Sequence, residues 1–126
     1  MGDKFELSGN FQGAILNIKS RLENVQQSIG SIKTQDDDSL VELQKLIDQL
    51  NQILQQVPQE KQEEATAVAK TTEALVEQVK EEQPNKTMIQ ITGEGLKKAA
   101  QNLADVLPTV VPIAAQIVAV VGKLSA

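Results

Sequence analysis

The chain contains no cysteine, no histidine, no tryptophan and no tyrosine. Without thiols there are no disulfides, no thiolate nucleophiles and no thiolate metal ligands, a usage that fits a reducing compartment. Without imidazole the commonest general base at neutral pH is missing, and with it most base–nucleophile pairs. Asp, Glu, Lys and Ser remain, at positions that helix caps and solvated faces account for, so the expectation is a non-enzymatic protein with no cofactor and no metal. Phe5 and Phe11 are the only aromatics, which leaves a core to be built from Leu, Ile, Val and Ala. Nucleic-acid binding calls for a basic stripe interleaved with stacking rings, and the chain has neither. The N-terminal residues lack the order of a signal peptide, and Met1-Gly2-Asp3-Lys4-Phe5-Glu6 lacks the Ser or Thr of a myristoylation signal. A cytoplasmic protein is expected.

At 126 residues the sequence is long enough for one domain with a real core, spanning residues 1–126. Its net charge of −5 is unevenly spread. Residues 1–34 carry four Lys/Arg against three Asp/Glu, residues 35–83 carry four against twelve, and residues 84–126 carry four against two. The middle of the chain is therefore acidic and both ends are slightly basic.

The longest uncharged stretch runs from Val106 to Gly122 and is apolar on every side. A helix of that kind must be enclosed by protein or lipid. Pro108 ends the preceding helix, Thr109 is a candidate N-cap, and Pro112 falls in a first turn that tolerates it. The helix proper, about Val110 to Lys123, is on the order of 20 Å long at 1.5 Å per residue, short of the roughly 30 Å of a bilayer core. It is expected to be the central helix of a bundle.

Residues 1–11 alternate apolar and polar side chains around Gly9 and read as a short extended or irregular lead-in, with Asn10 as an N-cap and Phe5 or Leu7 folding back as a hydrophobic staple. From there Phe11, Ile15, Ile18, Leu22, Val25, Ile29 and Ile32 recur at alternating spacings of four and three, a heptad seam that predicts a helix over Gln12 to Ser31. Asp36-Asp37-Asp38-Ser39 then precede a second seam, Leu40, Leu43, Ile47, Leu50, Leu54 and Val57, broadened by Leu46 and Ile53. Carboxylates there suit the free N–H groups of a helix start better than a calcium loop, whose ligands alternate around a glycine. Pro58 opens a third helix with a thinner seam of Ala65, Val68, Thr72, Leu75 and Val79. Its outer face carries Glu73, Glu77 and Glu81 at successive four-residue steps, a like-charge stripe that is either solvated or a docking face for a basic partner. Thr87 to Thr92 suit an extended turn or a helix start equally. Leu96, Ala99, Ala100, Leu103 and Leu107 predict a further amphipathic helix with Lys97 and Lys98 on its polar side, while Gly93 and Gly95 have neither dinucleotide nor Walker spacing.

The fold expected from these elements is all-α: an antiparallel bundle of four to five helices around the apolar C-terminal helix. The segment Lys4-Phe5-Glu6-Leu7-Ser8-Gly9-Asn10-Phe11-Gln12-Gly13-Ala14-Ile15-Leu16-Asn17-Ile18-Lys19-Ser20 resembles N-terminal segments of bacterial, chiefly cyanobacterial, multidomain signalling and defence proteins. That resemblance implies a small helical module for recruitment or self-association and carries no functional residue with it. The expected function is a protein–protein interaction or self-association module, with Glu73, Glu77 and Glu81 as the candidate partner-docking face. The alternative is a membrane-active bundle that releases its apolar C-terminal helix.

Overall fold

The seams read from the sequence are the buried positions of a five-helix bundle. The computed structural model describes the backbone of residues 2–34 and 36–125, with side chains from Phe11 onward. Its helices are α1, Gly2–Ile29; α2, Asp37–Leu54; α3, Gln62–Val79; α4, Lys86–Gln101; and α5, Val110–Leu124, with one 3-10 turn at Gln59–Lys61 and no strand among the described residues. Ile18, Leu22, Val25 and Ile29 of α1 and Leu43, Ile47, Leu50 and Leu54 of α2 are almost wholly removed from solvent. Val68, Leu75, Val76 and the small residues Ala65 and Ala69 form the buried face of α3. Thr72 shares that face, and its hydroxyl is satisfied within the helix by donating to the Val68 carbonyl at 2.7 Å.

Each helix packs against two principal neighbours, and the five close into a ring in the order α1, α2, α5, α4, α3 and back to α1, with a lesser contact of α3 with α5. Short connections make α1/α2, α3/α4 and α4/α5 antiparallel hairpins. A ring with an odd number of members cannot alternate throughout, so one adjacent pair must run parallel. That pair is α1/α3, as the cross-link Arg21–Glu73 between the helices and the pair Lys33–Glu82 just beyond both C-terminal ends show by advancing together. Consecutive helices α2 and α3 are not principal neighbours, and the turn at Gln59–Lys61 carries the chain across the end of the bundle.

Two expectations are corrected. The lead-in expected to be extended or irregular is helical from Gly2 onward, as part of α1. Asp3-Lys4-Phe5-Glu6-Leu7 carries no helix breaker, and Gly9 and Gly13 each cost a helix interior about 1 kcal/mol relative to Ala, which a long helix absorbs. Asn10 thus lies inside α1 and not at its start; the proposed staple by Phe5 or Leu7 falls outside the described side chains. The C-terminal helix, in turn, is one stave of the ring and not its centre. α5 packs on α2 and α4, buries Val110, Ala114, Ile117, Val120 and Val121, and leaves Pro112, Ala115, Ala119 and Gly122 exposed. Thr109 precedes it without a side-chain capping bond, and Pro112 occupies its third residue, where the missing N–H has no intrahelical partner to lose. Close approach of α4 and α5 depends on Gly93, since a Cβ there would stand 3.0 Å from Cγ1 of Val118.

The acidic start of α2 works as a cap. Asp36 Oδ1 accepts the Ser39 backbone N–H at 3.1 Å, and its Oδ2 accepts the Ser39 hydroxyl at 2.6 Å. Those two bonds, the hydroxyl first, hold the Asp36 carboxyl below its ordinary value of 3.8, with Lys123 at the end of α5 adding a smaller pull. A depressed carboxyl stabilises the fold above its unfolded pKa and loses that contribution as pH falls through the folded value. The melting temperature of Asp36→Ala is therefore expected below that of the wild type at pH 7, and the two should converge as pH is taken below 3.8; a gap independent of pH would mean the carboxylate is not the source.

Candidate functional site

The acidic stripe is the natural place to begin, and the structure divides it. Glu73 is turned into the α1/α3 seam, where its Oε1 accepts from the Arg21 guanidinium at 2.6 Å. Glu77 pairs with Lys80 at 3.2 Å, one turn along the same helix. Glu81 lies beyond the last residue of α3, exposed, with no ion-pair partner among the described residues. The three carboxylates do not make one free face, because Arg21, 52 residues away in sequence, claims the first of them.

A second surface feature lies on the other flank of α3. Asn85 caps α4 by accepting the Met88 backbone N–H at 3.0 Å, which fixes the helix start at Lys86 and settles the register of the Thr87–Thr92 stretch. In that register Ile89, Gly93, Leu96 and Ala100 face the core. Met88 and Ile91 face outward, 46% and 59% exposed. Beside them α3 presents Ala67, Thr71 and Ala74, the two alanines exposed and the threonine half-buried. The helices meet at Gly95, whose Cβ position lies 3.9 Å from Cγ2 of Thr71.

The result is a strip of small and apolar side chains drawn from two antiparallel helices, with Glu94 and Lys98 lining the cleft beside Ile91 and Gly95. Small side chains let another backbone come close, and two large exposed apolar side chains on one strip are what scattered surface residues do not provide. Helical periodicity puts Glu63, Lys70, Glu77 and Glu81 along the solvent crest of α3 that borders it, and Lys98 along the crest of α4. Glu63 and Lys98 have no ion-pair partner among the described residues, whereas Glu94 is paired with Lys97 at 3.6 Å. The α3 border is net acidic and the α4 border is not.

Other exposed apolar side chains among the described residues lie on α1 and α2. Leu16 is 63% exposed and adjoins Phe11 and Ile15 beside Gln55, the C-cap of α2; Val41 stands alone on α2. Lys19, Glu23, Gln26, Asp48, Asn51, Gln52 and Gln55 line a polar cleft between α1 and α2. Among the described residues no three acidic side chains converge as a metal site requires, and no helix is long and apolar enough to cross a membrane.

No known protein family, curated protein or solved structure matches the chain. The site therefore rests on its own geometry. Sequence reasoning passed over Met88 and Ile91 because it left Thr87–Thr92 between two conformations. The signal that resolves them was present in Pro84-Asn85, a proline and then an N-cap residue three positions before Met88.

Proposed function

We propose that this protein is a non-enzymatic interaction module, a helical bundle that recruits a protein partner or associates with itself through the α3–α4 face. The observation that carries the reading is the pair of large apolar side chains, Met88 and Ile91, that stand exposed beside the small residues of α3. Methionine is unbranched and polarizable, which suits it to adaptable contact surfaces. The N-terminal resemblance described above adds a bacterial signalling context, and the absence of cysteine fits work in the cytoplasm.

A photo-crosslinking residue placed at Ile91 in cells making the protein is expected to give a discrete adduct, with the same label at exposed Gln52 giving none. The adduct's mass distinguishes a second copy from another protein. Adducts of equal yield at both positions, or at neither, would overturn the assignment of this face. The alternative, release of α5 into a membrane, would have to withdraw Val110, Ile117, Val120 and Val121 from the core; leakage of lipid vesicles on adding the protein is the result that would favour it.

A further inference from the structure

We infer that the occupant of the α3–α4 face is an amphipathic helix of another protein, apolar along the side it buries and basic along the edge that lies over α3. This inference rests on the interaction-module reading and names the partner of the same face. The shape of the strip argues for a helix. Ala67, Thr71, Ala74 and Gly95 are small residues on two adjacent antiparallel helices, and Met88 and Ile91 stand exposed on the α4 side of them. A third helix laid along that line would place side chains at i, i+3, i+4 and i+7 against the small residues, as helix-in-groove recognition requires.

Charge argues for the sign of the partner and against a second copy. The border on α3 offers Glu63 and Glu81, neither of them ion-paired among the described residues, against the single cation Lys70, while Glu77 and the nearby Glu82 are paired with Lys80 and Lys33. The segment 35–83 that holds this border carries twelve acidic residues against four basic ones, and the whole chain is −5. Two copies would therefore approach each other against their own charge, whereas a Lys- or Arg-edged helix would be drawn in and oriented by it. Lys98 alone on the opposite border favours a neutral or acidic edge on that side of the partner.

The test uses a synthetic 18-residue helix with leucines along one stripe and lysines along one edge, and a twin with glutamate replacing lysine. The lysine peptide is expected to bind the full chain at least tenfold more tightly than its twin at low salt, with the gap closing as salt is raised. Glu63→Lys, Glu77→Lys and Glu81→Lys together should invert that preference, and Ile91→Asp should weaken the lysine peptide at least tenfold. A control triple, Glu23→Lys, Glu42→Lys and Asp48→Lys, changes charge equally on the α1–α2 side and should leave the preference in place. Helicity and melting temperature check that each variant is folded. Equal binding of the two peptides, or equal loss in the control triple, would overturn the inference. If that happened while the label at Ile91 still formed its adduct, the face would stand as an interaction site and only its basic partner would fall.

Discussion

Deletion of residues 108–126 is expected to abolish cooperative unfolding. In the closed ring α5 joins α2 to α4, two helices with no substantial contact of their own among the described residues. Its Val110, Ile117, Val120 and Val121 are each at most 2% exposed. Burying a side chain of that kind is worth roughly 1.5–3 kcal/mol, so the four together contribute about 6–12 kcal/mol, the scale of a whole domain's stability of about 5–15 kcal/mol. The deletion also uncovers the flanks of α2 and α4 that α5 protects. A truncated chain that remains soluble and melts in one sharp transition would show that four helices suffice.

Leu75→Ala is expected to cost about 2–5 kcal/mol, the usual range for emptying a leucine-sized volume in a core. Leu75 is wholly buried on α3. That helix packs on both α1 and α4 and also reaches α5, so a cavity there has rigid neighbours around it and little means of collapse. The same truncation at Leu16, 63% exposed on α1, should change stability by less than about 0.5 kcal/mol. Urea unfolding of the two variants separates them; similar midpoints would mean that α3 is not packed as described.

The pair also shows what could be read without coordinates. Leu16 falls off the heptad seam of α1 and Leu75 falls on the seam of α3, and spacing alone placed each correctly. The cap at Asp36 was equally legible, since it depends on neighbours three residues apart. The position of α5 was not. Its sequence is apolar all round, but hydrophobic free energy scales with area, and the side left in water carries Ala115, Ala119 and Gly122, whose exposure costs little, while Val and Ile take the inside. A pattern that counts alanine and valine alike mistakes such a helix for a central one. The order of helices around the ring was hidden for another reason: heptad seams specify which face is buried but not against whom. For Glu73 the deciding partner, Arg21, sits on α1, separated from α3 in the chain by the whole of α2.

The same topology divides the molecule into two locally folded halves, the α1–α2 hairpin and the α3–α4–α5 run, joined covalently only through residues 55–61. Contacts within each half are close in sequence, whereas the α1–α3 and α2–α5 seams join distant segments and carry the larger loop-closure cost. Because α3 and α5 are already held by α4, docking α3 onto α1 brings α5 onto α2 in the same motion, and the ring closes as one event. Reversed, that motion opens both seams together about the crossing turn. Two molecules caught open can close on each other's halves through the same surfaces, an exchange of hairpins that makes a dimer without one new contact.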